Sequence, residues 1–187
     1  MLRTGKNDAE KVGWGSKLSQ EKRFRVLTEI GITDRNSVLD IGCGLGAYVN
    51  YFENLKINLK YTGLDINPKM IEGAKKKYPK IEFILGDVFS IKDKINDRSF
   101  DYIILSGALN LRADNQLKNI ERTMFELFKL AKKGIALNFL SMFAKNILAN
   151  EYYCNPVDIL KIALTISRKV TLRHDYMPHD FTIYLLK

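Results

Sequence analysis

The stretch VLDIGCGLGAY, residues 38–48, limits the possible folds more than any other part of the chain. An apolar run, residues 37–41, suits a strand buried on both faces, as in a parallel sheet. Gly42, Gly44 and Gly46 follow it directly. Glycines there let the backbone turn tightly and let a ligand approach the main chain, and N–H groups opening the next helix suit a carboxylate or phosphate. A plain tight turn is the bland reading, but so dense a glycine cluster after a buried strand points to a ligand loop.

The rest of the pattern alternates strand and helix. Strands are read at 37–41, 60–66, 81–87, 100–106 and 133–140, and helices at 46–53, 68–78, 114–130 and from Pro156 to 167. Asn67 with Pro68, and Asn155 with Pro156, pair a capping side chain with proline at the first helical position. Met70, Ile71 and Ala74 share one helix face; Leu117, Ile120, Met124, Leu127 and Phe128 share another. Residues 19–31 read as an amphipathic helix with Phe24, Leu27 and Ile30 inward. The last two strands, 169–175 and 181–187, are separated only by 176–180. A parallel pair needs a crossover of a dozen or more residues, so these two are antiparallel. The fold class is therefore α/β: a seven-stranded, mostly parallel sheet with an antiparallel C-terminal hairpin and helices on both faces. In such open sheets ligands bind beyond the carboxyl ends of the strands, near the switch in strand order.

A length of 187 residues favours one domain, with an N-terminal arm and helix over 1–33 and the core over 34–187. Hydrophobic content of 46% and charged content of 27% are ordinary for a globular chain. Cys43 and Cys154 form neither a disulfide framework nor a metal-type CxxC pair, which predicts reduced thiols and a cytoplasmic protein. The N-terminal residues are polar, and the most apolar stretch, IALNFLSMFA, falls short of the ~20 residues of a membrane span. A net charge of +9 admits nucleic acid, an anionic surface or an acidic substrate. The charge is scattered, however, and its densest run, Lys75–Lys77, reads as a solvated helix face.

Further residues narrow the ligand. Asp65 ends the second strand about 20 residues beyond the glycine loop, where an acid can accept both ribose hydroxyls. It could also cap the helix that follows. Asp87 ends the third strand, where a carboxylate can accept from an adenine amino group; the alternative is an ordinary loop acid. Ala47 is a permitted third residue of a dinucleotide fingerprint, so the loop alone does not exclude NAD. Asp87 and the terminal hairpin argue against it.

Together these residues resemble the class I S-adenosylmethionine-dependent methyltransferases over roughly residues 35–187. LDIGCGLG looks like the family's first motif, YTGLDINPKMI like its ribose-binding acidic motif and FILGDVF like its adenine-binding motif. The resemblance implies a Rossmann-like fold, S-adenosylmethionine as methyl donor and S-adenosylhomocysteine as product. It implies that Asp40, Gly42, Gly44 and Gly46 hold the methionine end, with Cys43 inside that loop as a small filler. Asp65 would hold the ribose, Ile66 would pack on the adenine with Asp87 and Val88 at its edge, and Ser106 would lie near the sulfonium. Trp14 is read either as a lid over the cofactor or as an anchor of the N-terminal arm.

The Asn/Asp-Pro-Pro-Tyr motif of enzymes that methylate base amino groups is absent; SGALNL, 106–111, stands in its place. No added domain grips a macromolecule, so a small-molecule or glycan-like acceptor is expected, with nucleic acid and membrane disfavoured. Its pocket would come from residues 1–18, 106–114, 141–155 with Tyr152 and Tyr153, and 174–181. The segment LRHDYMPHDF holds both histidines. A metal site is disfavoured because neighbours on a strand point apart, as His174 and Asp175 do. A polar hairpin capping its own backbone is one reading. The other is a catalytic base, for which His179 is preferred over His174 if the turn lies at the substrate end, with Asp175 or Asp180 orienting it. A non-catalytic cofactor-binding module and an RNA-associated methyltransferase are the competing functions.

Overall fold

The computed structural model describes residues 17–90 and 100–187. Its elements are α1 (Lys17–Thr28), β1 (Ser37–Ile41), α2 (Ala47–Asn54), β2 (Lys60–Asp65), α3 (Pro68–Lys77) and β3 (Glu82–Leu85). β4 (Phe100–Ser106), α4 (Gln116–Leu130), β5 (Ala131–Leu140), α5 (Pro156–Ile166), β6 (Lys169–Met177) and β7 (Asp180–Leu186) complete it. The 7-stranded sheet has the order β3-β2-β1-β4-β5-β7-β6. β1 to β5 pair in parallel, and β7 runs antiparallel to both β5 and β6. This is the mostly parallel α/β sheet with an antiparallel hairpin that the alternating pattern implied, and the Rossmann-like fold that the resemblance implied.

Strand alternation divides the core into two layers. Leu39, Ile41, Ile103, Leu105, Ile135 and Leu137 pack under α4 and α5, against Ile120, Met124, Leu127, Ile159 and Ala163. Val38, Ile104, Ala136 and Tyr184 face the other way, toward Phe24 and Leu27 of α1, Tyr48 and Phe52 of α2, and Ile71 and Ala74 of α3. A sheet covered on both faces needs apolar residues at successive positions, hence the uninterrupted runs in β1 and β4.

Both asparagine caps form. The Asn67 side chain accepts from the Lys69 N–H at 3.0 Å and Asn155 from the Val157 N–H at 2.9 Å, each with proline at the helix start. The N-terminal helix ends earlier than expected, at Thr28, yet Phe24, Leu27 and Ile30 are all buried. Strand ends also differ. β3 stops before Gly86, because Asp87 folds the next residues into a turn: its Oδ1 accepts from the N–H groups of Phe89 and Ser90 at 2.7 and 2.9 Å. β6 and β7 run further toward each other than expected, leaving Pro178 and His179 as the turn between them. A register shift between Arg173 and Met177 accommodates this extension.

That turn lies where β6 ends and β7 begins, on the same edge of the sheet as the carboxyl ends of β1 to β5. The Ser141 N–H, just past β5, donates to the His179 carbonyl at 2.9 Å. No helix among the described residues is long and apolar enough to cross a membrane.

Candidate active site

A cavity of about 1240 Å³ opens along this carboxyl edge. The switch in strand order, between β1 and β4, divides it. Ends of β2 and β3 contribute Asp65, Ile66, Asp87 and Val88 to one half. The other half receives Ser106 to Leu111 after β4, parts of residues 145–153 after β5, and Pro178 and His179. Asp40, Gly42, Cys43 and Gly44 lie between the halves, and α1 brings in Gln20 and Arg23.

The glycine loop is held by its own backbone. The N–H groups of Gly42 and Cys43 both donate to the Leu64 carbonyl, at 2.8 and 3.0 Å. The Gly44 N–H donates to Asp65 Oδ2 at 2.8 Å. These three donors pin the loop to β2. What the loop offers is shape. Gly42 has φ +72° and a Cβ there would stand 2.5 Å from the Ala108 Cβ. Gly46, with φ +74°, caps α2 against the Phe83 ring and does not itself line the cavity.

Asp65 also accepts from the Asn67 N–H, through Oδ1 at 2.8 Å. Each carboxylate oxygen thus holds one main-chain donor and keeps a second lone pair. The capping and ligand readings of Asp65 are compatible on this geometry. Asp87 uses Oδ1 for its turn, as a loop acid would, while lining the cavity. Ile66 is 72% exposed, an apolar face turned to the cavity beside buried Val88.

Asp40 is buried, and the Tyr61 hydroxyl donates to its Oδ2 at 2.6 Å. Burial raises the carboxyl pKa to about 7; the Tyr61 hydrogen bond offsets part of the rise and the Asp65 charge adds to it. A buried acid of this kind is suited to a cationic partner, which would restore its charged form. The Cys43 thiol is buried and pushed well above its ordinary range, chiefly by desolvation, so it serves as filler rather than nucleophile. Ser106 Oγ and Asn110 Oδ1 are buried and have no hydrogen-bond partner among the described residues.

The histidines part company. His179 lines the cavity, half-exposed, with Nε2 3.6 Å from Oδ2 of fully buried Asp180. Arg23, also buried, forms a close ion pair with the same Asp180 oxygen. Burial raises the Asp180 carboxyl pKa, and the Arg23 charge pulls against it. His174, on β6, lies beside the Phe143 and Phe181 rings and does not line the cavity. Asp175 is committed to Arg173 at 2.8 and 3.0 Å, so it does not orient His179. Among the described residues no three His, Cys, Asp or Glu side chains gather as a metal set. Tyr153 lines the cavity and Tyr152 does not. Trp14 lies outside the described residues.

Residues 32–167 match a family described as "Methyltransferase domain". The chain belongs to the class I S-adenosylmethionine-dependent methyltransferases. It is 29% identical over 165 residues to a protein of Mycobacterium tuberculosis assigned as a methyltransferase, covering 84% of this chain and 97% of that one. It is 28% identical over 145 residues to demethylmenaquinone methyltransferase of Chlorobaculum tepidum, covering 76% of this chain and 57% of that protein. A SAM-dependent methyltransferase from Archaeoglobus fulgidus superposes with a TM-score of 0.73 at 16% identity, over 96% of this chain and 97% of the other. Magnesium protoporphyrin IX methyltransferase from Synechocystis, solved with bound SAM, superposes at 0.70 and 15% identity, over 100% and 92%. These two likenesses establish the fold of the methyltransferase.

Several residues of the methyltransferase site escaped the sequence reading. Tyr61 meets Asp40 only through the pairing of β1 with β2. Gly63, opposite Asp40 in that register, leaves room for Cys43 and Phe83, whose atoms a Cβ there would approach within 2.8 Å. A lone glycine inside a strand is a signal that could have marked it. Arg23 and Asp180 carry no such signal, because their pairing depends on how α1 docks.

Proposed function

We propose that this methyltransferase moves a methyl group from S-adenosylmethionine to an oxygen or nitrogen of a small-molecule or glycan-like acceptor. The carrying observation is the continuity of the cavity. Groups suited to an adenosine and a methionine tail on one side meet a second half lined by Asn110, Asn146, Glu151, Tyr153 and His179. Hydrogen-bonding side chains of this variety suit an acceptor rich in hydroxyl or amine groups.

Asp65 would take the ribose hydroxyls on its remaining lone pairs, and Ile66 with Val88 would receive the adenine, Asp87 meeting its amino group. Asp40 would face the ammonium of the methionine end, beside the Gly42–Gly44 turn. The bound donor supplies a methyl group already activated on a sulfonium, so the protein's task is placement and proton handling. Ser106 Oγ would orient the acceptor near that methyl group. His179 would take the acceptor's proton as its oxygen or nitrogen is methylated, with the Asp180 charge steadying the imidazolium. The buried free thiols Cys43 and Cys154 fit a reducing compartment, and we assign the protein to the cytoplasm.

The test is release of S-adenosylhomocysteine from S-adenosylmethionine in the presence of sugars, polyols and amines. Turnover with one class, lost in His179→Ala while S-adenosylhomocysteine still binds, supports the reading. Donor binding with no turnover on any class would favour a non-catalytic binding module.

A further inference from the structure

The cavity is polar at depth and apolar at its rim. At the end of β4, Ser106 Oγ and Asn110 Oδ1 are buried and unpartnered among the described residues. At the rim, large apolar side chains stand in solvent. Leu111 and Leu148 line the cavity, and Ile147, Phe143 and Met142 are exposed on the same β5–α5 loop as Leu148. Their exposures run from 46% at Met142 to 69% at Leu111, high for five such residues in one region. Local contacts hold its two ends. Leu111 bridges to Glu151, whose N–H donates to the Leu148 carbonyl at 3.1 Å, and the His174 ring lies 6.2 Å from that of Phe143.

We propose that the acceptor is an amphiphile, with its polar head in the cavity and its apolar chain leaving across Leu148, Ile147, Phe143 and Met142. This rests on the acceptor reading above. Two observations select this occupant. The patch begins inside the cavity, at Leu111 and Leu148, as a path out of it would and as a contact with a second copy need not. The charges of the two loops balance in number: Lys145 and Arg112 against Glu151 and Asp114. An anionic lipid surface would call for a basic cluster there. His174 then backs Phe143 from β6 rather than handling a proton.

The test uses the full chain saturated with S-adenosylhomocysteine. Binding of n-alkyl glucosides and n-alkyl amines, from hexyl to nonyl and below their micelle concentrations, is measured by calorimetry. A fully buried methylene is worth roughly fourfold in affinity, so a path open on one side should give about twofold per methylene. We expect at least one series to gain roughly eightfold from hexyl to nonyl on that basis. The Phe143→Ser/Ile147→Ser variant should lose most of this gain and bind S-adenosylhomocysteine as before; both side chains are exposed, so its fold is spared. Affinity independent of chain length, or a gain equal in the variant, overturns the proposal and leaves the methyltransferase reading standing. So does dimerisation that the variant abolishes without any chain-length effect, which would assign the patch to a second copy. Failure of S-adenosylhomocysteine to bind would overturn the donor reading and this proposal with it.

Discussion

Tyr61 and Asp40 share a buried hydrogen bond of 2.6 Å, hydroxyl to carboxylate, and of the two only Asp40 lines the cavity. The bond holds ionisable an acid that burial has raised to about 7. A cofactor ammonium would select the ionised form. Affinity for S-adenosylhomocysteine should therefore rise about tenfold between roughly pH 6 and pH 8 and level off above. Asp40→Asn should bind more weakly and without that slope. Titrations at three pH values check both expectations.

The same acid sets a stability slope in the ligand-free protein. Its folded-state pKa lies above the ordinary value of 3.8, so the folded chain keeps a proton that the unfolded chain has released. The resulting support is complete below about pH 4 and is lost as pH rises through 7. Asp40→Asn should flatten this dependence and make the empty protein more resistant to urea at pH 8 than wild type. A variant less stable than wild type at pH 8 would contradict the assignment.

Gly42 and Ala108 leave no space between them. At φ +72°, and with the new Cβ 2.5 Å from that of Ala108, Gly42→Ala should cost about 1–3 kcal/mol in denaturant unfolding. Adding Ala108→Gly should recover the steric part and leave the backbone part.

Arg23 and Asp180 join α1 to the start of β7. Asp180→Ala leaves a buried guanidinium without its carboxylate and should destabilise by about 3–5 kcal/mol. His179→Ala, at a half-exposed position, should keep stability and S-adenosylhomocysteine affinity while losing methyl transfer. His174→Ala should leave the chemistry of the transfer step in place, since its ring lies away from the cavity. Unfolding curves and single-turnover rates separate these roles.

Local signals carried most of the fold. The Asn67–Pro68 and Asn155–Pro156 caps, the apolar runs of β1 and β4, and the short connection before β7 each act through neighbouring residues, and each was legible. The cavity's acids were legible for the same reason, since Asp40, Asp65 and Asp87 fall at or just beyond strand ends. The end of β3 was not, because the Asp87 turn competes with continued pairing. Nor was the Tyr61 bond to Asp40, which exists only once two strands are in register. Nor was the setting of His174, which lies within the Arg173–Met177 register shift. Strand alternation alone does not place residues across such a shift.

The central claim is that Asp65 and the glycine loop hold S-adenosylmethionine. Calorimetry with S-adenosylmethionine, S-adenosylhomocysteine and NAD, on wild type and Asp65→Ala, addresses it most directly. The account expects binding of the first two, no binding of NAD, and at least a tenfold loss of affinity in a variant that remains folded by circular dichroism. Binding of NAD instead, or affinity unchanged by Asp65→Ala, would contradict it.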